Sequence, residues 1–256
     1  MKLTRSLSEG ERPKTLSVRS HLERSPSLTL RVSDAIIMLS FLRHPPIVSR
    51  SATQRAVSSI WIDGVGCFWL SLKDRVTIGG PGTPSAKPDE PRESADLAIL
   101  SDLKLRHATI VRNGEGYLLE AHGPARVAGR EVLDRMALND GAIIELGRSV
   151  RLKFRQPSAL SLSARLDFVS DHRPTQSVDG VVLLADTCLL GAGNENHIVC
   201  HDWLGQVLLV RQGAELWCRS RQALTVNGHR LGSGRRLQSG DVVSGEESRF
   251  RIEIPN

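Results

Sequence analysis

From Ile60 onward, apolar and polar residues alternate over short runs that Gly, Asp, Asn and Pro interrupt every few positions. A period of two puts every second side chain on one face of an extended chain, so the pattern predicts half-buried strands. The runs are Ile60–Ile62, Cys67–Leu72, Arg75–Ile78, Leu97–Leu100, Ala108–Arg112, Tyr117–Ala121, Ala142–Leu146 and Val150–Phe154. Asp63-Gly64, Asn113-Gly114 and Asn139-Asp140-Gly141 stand between runs, where tight turns are needed. No long window carries the 3.6-residue period of an amphipathic helix. Closely spaced short strands predict an all-β fold built as an antiparallel sandwich. Gly79–Ser94 is rich in Pro and Gly and reads as a long mobile loop.

The pattern also repeats. At an offset of 99 residues Val111-Arg112 meets Val210-Arg211, Gly114 meets Gly213, and Val127 meets Val226. Ile99 meets Ile198, Gly129 meets Gly228, Leu138 meets Leu237 and Gly141 meets Gly240. These are strand-core and turn positions, which a duplicated sandwich keeps for packing reasons. Ile78-Gly79 matches Leu190-Gly191 if the second copy lacks the long loop. After Gly141, one inserted residue aligns Val150, Leu152 and Phe154 with Phe250, Ile252 and Ile254. Two consecutive β-sandwiches are expected, over residues 60–170 and 179–256, joined by a linker at 171–178.

Residues 1–59 break the pattern. They are rich in Ser, Thr and Arg and show no sustained period, so they are expected to be disordered. Charge sharpens this division. The chain carries a formal +6, and ten Lys/Arg against four acids in residues 1–59 account for all of it. The remaining residues sum to zero, which removes the basic surface that nucleic-acid binding through a globular body requires. Tethering to nucleic acid or an anionic membrane through residues 1–59 is the alternative function the charge suggests.

Cys67, Cys188, Cys200 and Cys218 form no Cys-x-x-Cys pair or zinc-ribbon spacing, so buried reduced thiols and a cytoplasmic location are expected. No apolar run approaches the roughly 20 residues of a membrane span. His197, Cys200 and His201 are close in sequence, but on a strand Cys200 points away from the two histidines and a fourth ligand is lacking. The four tryptophans, Trp61, Trp69, Trp203 and Trp217, lie in or beside strand segments and read as packing residues. With no P-loop, nucleophile elbow or His-Glu-x-x-His, neither an enzyme nor a cofactor is expected.

One stretch carries more. Val76-Thr-Ile-Gly-Gly80, then Leu105-Arg-His-Ala-Thr-Ile110, then Val127-Ala-Gly-Arg130 gives a strand ending in glycines, a loop histidine heading a strand, and a tight turn. That order resembles the forkhead-associated (FHA) domain, a reader of phosphothreonine peptides. The resemblance covers Ile60–Phe168 and, more thinly, Asp179–Asn256. It implies peptide capture by loops at one end of the sandwich, with an arginine after the first loop glycine and a serine three residues before the histidine. It also implies a basic residue after that serine and an asparagine before a later glycine. In this chain those four positions hold Gly80, Lys104, Leu105 and Ala128; Gly79, Arg106, His107 and Gly129 complete the loops, and Arg126 and Arg130 flank the turn. The histidine braces the loop in that family. Lys104, Arg106 and Arg130 are left to supply charge, since a lysine cannot make the two-pronged phosphate contact of an arginine. In the second copy Gly191-Ala192, Trp203 and Gln206 stand at the matching places, and Asn227-Gly228 reads as a hairpin turn. The expected function is therefore a non-catalytic protein-interaction module whose partner is a protein segment, Ser/Thr-phosphorylated in the sharper version.

Overall fold

Alternating runs become strands, and strands pair into three sheets. The computed structural model describes residues 59–82, 95–114, 116–158 and 161–254. The expectations for residues 1–58, and for most of the Gly79–Ser94 loop, lie outside the described residues. The protein is all-β, and none of the described residues is helical. No helix among them is long and apolar enough to cross a membrane.

The strands fall into two series of eleven. The first is β1 (Ser59–Ile62), β2 (Gly66–Ser71), β3 (Arg75–Gly79), β4 (Leu97–Ala98), β5 (Ala108–Asn113), β6 (Gly116–Ala121), β7 (Ala125–Val127), β8 (Arg130–Glu131), β9 (Arg135–Leu138), β10 (Ile143–Leu146) and β11 (Val150–Arg155). The second is β12 (Ala164–Phe168), β13 (Gly180–Leu183), β14 (Thr187–Gly191), β15 (Ile198–Val199), β16 (Val207–Gln212), β17 (Glu215–Ser220), β18 (Thr225–Val226), β19 (His229–Arg230), β20 (Arg235–Arg236), β21 (Val242–Ser244) and β22 (Arg249–Glu253). One five-stranded sheet runs β4-β3-β5-β6-β9 and the other runs β15-β14-β16-β17-β20, member for member the same arrangement. Both begin with a parallel pair, in which Ile78 faces Leu97 and Leu190 faces Ile198. Turn geometry repeats as well: Gly114 and Gly213 have φ +60° and +63°, and Gly141 and Gly240 have +80° and +86°.

The third sheet joins the two halves. It has twelve strands in the order β19-β18-β21-β22-β1-β2-β13-β12-β11-β10-β7-β8. The hairpin β1–β2 pairs with β22, the last strand of the second series. The hairpin β12–β13 pairs with β11, the last strand of the first. The halves have thus exchanged their opening hairpins, and β2 and β13 meet in parallel at the centre.

Burial follows the exchange. Ile60, Ile62, Phe68, Leu70 and Leu72, expected in the first sandwich, pack with Cys188, Leu209, Val226, Phe250 and Ile252. Ala164, Leu166, Val181 and Leu183 pack instead with Ile78, Ile110, Leu119, Leu152 and Phe154. Alternation explains how β13 serves both cores: Val182 faces one and its neighbours Val181 and Leu183 face the other. Fully burying one such side chain stabilises by about 1.5–3 kcal/mol, so each hairpin strongly favours the core it completes.

Residues 171–178, expected as a plain linker, connect the two strands of an exchanged hairpin and dock on the way. Pro174 bridges Ile99 antiparallel beyond the edge of β4. The Leu100 N–H donates to the Arg173 carbonyl at 2.9 Å, and the Thr175 N–H donates to the Ala98 carbonyl at 2.8 Å. The connection between the two series lies earlier, and its described residues Ser161 and Ser163 are buried and hydrogen-bonded. There the Ser161 hydroxyl donates to the Thr187 carbonyl, and Ser163 Oγ accepts from the Ala185 N–H.

Candidate functional site

The loop end of the first sandwich is built around His107. The strand β3 ends at Gly79, Gly80 follows it, and the segment Leu103–Leu105 crosses directly over both. The Gly80 N–H donates to the Lys104 carbonyl at 2.9 Å. A Cβ at position 79 would collide with the Leu105 carbonyl, and one at position 80 would lie 2.5 Å from the Leu103 carbonyl oxygen. Both positions are therefore glycine because backbone passes where a side chain would begin. An arginine at position 80 has no space unless the crossing segment moves.

His107 heads β5 and is buried. Its Nδ1 accepts the Lys104 N–H at 3.2 Å, so the ring proton sits on Nε2, which donates to the Pro124 carbonyl at 2.9 Å. Gly123 lies against the ring face, where a Cβ would be 2.7 Å from Cε1. The turn after β10 closes on the same place, since a Cβ at Gly147 would lie 3.0 Å from Leu103 Cδ2. One imidazole thus ties the 104–107 loop to the β6–β7 connection. A histidine with both nitrogens committed to backbone is a brace, with no free proton acceptor for a reaction.

Lys104, Leu105 and Arg106 are exposed on the loop so held. The Lys104 Nζ donates to the His122 carbonyl at 3.0 Å, and His122 Nε2 meets Thr109 Oγ1 at 2.9 Å. Gly80, Lys104, Arg106 and His107 are therefore brought together. Ala128, Gly129 and Arg130 are placed elsewhere, at the far end of β7, where the Ala128 N–H donates to the Ile143 carbonyl. Ala128 and Gly129 have φ +49° and +78°, the pair of left-handed residues that a two-residue hairpin turn requires. Asn227 and Gly228 form the same turn at +52° and +80°. Asn227 adds a link that Ala128 lacks: its Oδ1 accepts the Val242 N–H and its Nδ2 donates to Asp241.

Sequence reasoning missed the turn after β10. A shallow groove beside β7 is lined by Arg126, Arg148 and Arg151 together with Glu131 and Glu145. Gly147 takes φ +60° there, and its approach to the loop end shows only in the folded chain. Charges of both signs line the groove, so it is not a concentrated anion site.

The matching end of the second sandwich is closed. Trp203, at the place of Lys104, is buried and stacks on Phe250 with centroids 6.2 Å apart. Gln206, at the place of His107, donates to Asn196 Oδ1 at 2.7 Å. Trp61 departs from the packing role expected of it and is 47% exposed.

Of His197, Cys200 and His201, the first two are buried and His201 is exposed. His197 Nδ1 accepts the Leu189 N–H and its Nε2 donates to the Ser163 carbonyl. Burial, with the nearby Arg165 charge adding to it against a Ser163 hydrogen bond, lowers its pKa to about 4. Burial likewise pushes the Cys188, Cys200 and Cys218 thiols up to about 12, which holds them protonated. All four cysteines are free and buried.

No protein-family model matches the chain, and no curated protein matches it. Among solved structures, one that is similar is the N-terminal FHA domain from EssC, a component of the bacterial Type VII secretion apparatus. It shares 14% identity over 76% of this chain and 90% of its own, with a TM-score of 0.22, an overlap too loose to argue from.

Proposed function

We propose that the protein is a non-catalytic interaction module that holds a protein segment at the loop end of its first sandwich. The observation that carries the reading is the His107 brace. It fixes the Lys104–Arg106 loop against the β6–β7 connection and leaves Lys104, Leu105 and Arg106 facing outward. Ala128–Arg130 form a separate turn that would meet the segment farther along. The absence of space at position 80 argues that the segment itself, and not a phosphate on it, supplies most of the binding. A dianion here would meet the Lys104 and Arg106 charges as exposed points, without a bidentate partner.

We read the chain as a duplication of one eleven-strand unit. The matched pairing of both series and the shared positive-φ turns support it.

The test is an array of phosphothreonine and plain peptides against the full chain, at low and physiological salt. Binding with a phosphate preference of about tenfold or less is expected, since one exposed charge-assisted contact is worth little more. Arg106→Ala is expected to weaken the bound peptides. Failure of every peptide to bind would remove the reading. A preference near a thousandfold would restore phosphate as the principal ligand.

A further inference from the structure

The two edge strands β4 and β15 occupy matching places in matching sheets, yet they are treated differently. In the first sandwich, the outward-facing groups beyond β3 are the Ala98 carbonyl and the Leu100 N–H, and the strap Arg173-Pro174-Thr175 fills both. The matching residues follow from the ladders. The Ile99 N–H donates to the Gly79 carbonyl as the Cys200 N–H donates to the Gly191 carbonyl. Ile99 therefore corresponds to Cys200, Ala98 to Val199 and Leu100 to His201. Since neighbouring residues of a strand point their backbone groups to opposite sides, the Val199 carbonyl faces away from β14, and the His201 N–H follows it at the start of the turn that the Trp203 N–H closes on the Cys200 carbonyl.

The segment that would cover them is missing by construction. The strap is part of the long connection between β12 and β13. Its counterpart between β1 and β2 is the tight turn Asp63-Gly64-Val65, closed by the Val65 N–H on the Ile62 carbonyl. Among the described residues, no hydrogen bond reaches the Val199 carbonyl or the His201 N–H. His201 is exposed and Val199 half-buried.

The geometry points to the β15 edge as a docking site for an extended, basic, proline-bearing segment of another polypeptide. The strap shows what such a guest looks like. It lies antiparallel, uses one carbonyl and one N–H, and sets between them a buried proline whose missing N–H costs nothing there. Its contact residues Arg173-Pro174-Thr175 carry one positive charge, and exposed Asp102 lies just past the edge they cover. Exposed Glu195 and Asp202 flank the open edge in the same way. The guest would pair its proline opposite Cys200, donate to the Val199 carbonyl and accept from the His201 N–H.

The probe is a capped hexapeptide with the sequence of residues 172–177, His-Arg-Pro-Thr-Gln-Ser, titrated into the labelled full chain. In the free protein, the Leu100 amide is expected to be protected from hydrogen exchange and the His201 amide unprotected. Saturable shifts and new protection are expected at Val199–His201. Methylating the threonine amide of the peptide removes the donor to Val199 and is expected to weaken binding about tenfold, whereas methylating the glutamine amide leaves it unchanged. His201→Pro is expected to abolish binding and His201→Ala to retain it. Three results would each overturn the proposal: a His201 amide already protected in the free chain, no saturable shifts, or shifts at Ala98–Leu100 showing that the peptide displaces the strap.

Discussion

At the scale of single residues, the loop end is governed by space and by proton placement. Gly80→Arg restores the residue that the FHA resemblance implies, but its Cβ meets the Leu103 carbonyl. It is expected to lower stability in urea unfolding by about 1–3 kcal/mol, the usual cost of forcing atoms into a packed site, and to bring no matching gain in phosphopeptide affinity. Ala128 has the opposite character. Held at φ +49°, it carries strain that an asparagine tolerates better, and Asn227 shows the accommodated form. Ala128→Asn is expected to raise stability by about 0.5–1 kcal/mol. His197 ties stability to pH. Its pKa is lowered from 6.5 to about 4 by burial, so between those values the unfolded chain holds the extra proton. The contribution is complete above the unfolded value and is lost as pH falls toward 4, by roughly 3 kcal/mol at most. Urea midpoints at pH 7 and pH 5 are expected to draw closer together in His197→Gln than in the natural chain.

At the scale of elements, strands were legible and their partners were not. The alternation at Ala108–Arg112 and Tyr117–Ala121 located β5 and β6 to within a residue or two, because one buried face demands it. Arg112 and Arg211 stand at like places in the two series: their N–H groups donate to the carbonyls of Asp74 and Asp186. The last strands were matched two residues out of step. Leu152 faces Ile144 as Phe250 faces Val243, so Leu152 and Phe154 correspond to Phe250 and Ile252. A slip of two keeps every apolar residue on the same face, so a period of two cannot reveal it. The hairpin exchange escaped for a related reason. Each hairpin keeps its own strands and apolar face and changes only which core receives it. The brace at His107 was legible as a loop residue, while the approach of Gly147 required the fold. Phe68 tests the exchange directly. Phe68→Ala is expected to cost about 3–5 kcal/mol. Its loss of amide protection is expected in β14, β16 and β17, and chain order would have placed that loss in β3, β5 and β6.

At the scale of the whole molecule, neither core can be assembled from one half of the chain. Both halves share the twelve-stranded sheet, and β2 and β13 form its centre. Unfolding is therefore expected as one cooperative transition. Trp203 fluorescence reports one core, and Trp69, packed on the other, serves as its counterpart. Coincident urea transitions from single-tryptophan variants would support this, and separate midpoints would contradict it. The pairing of β1 with β22 also sets a schedule for synthesis. A chain leaving the ribosome presents β1 and β2 well before β22, the strand with which β1 pairs. The opening hairpin must wait, with Ile60, Phe68 and Leu70 uncovered, until the strands of the second series have been made. Such waiting segments are what chaperones hold and what crowded nascent chains mispair. The joint that unites the two halves thus closes only after the second series is made, and it is the first place where two neighbouring nascent copies would become entangled.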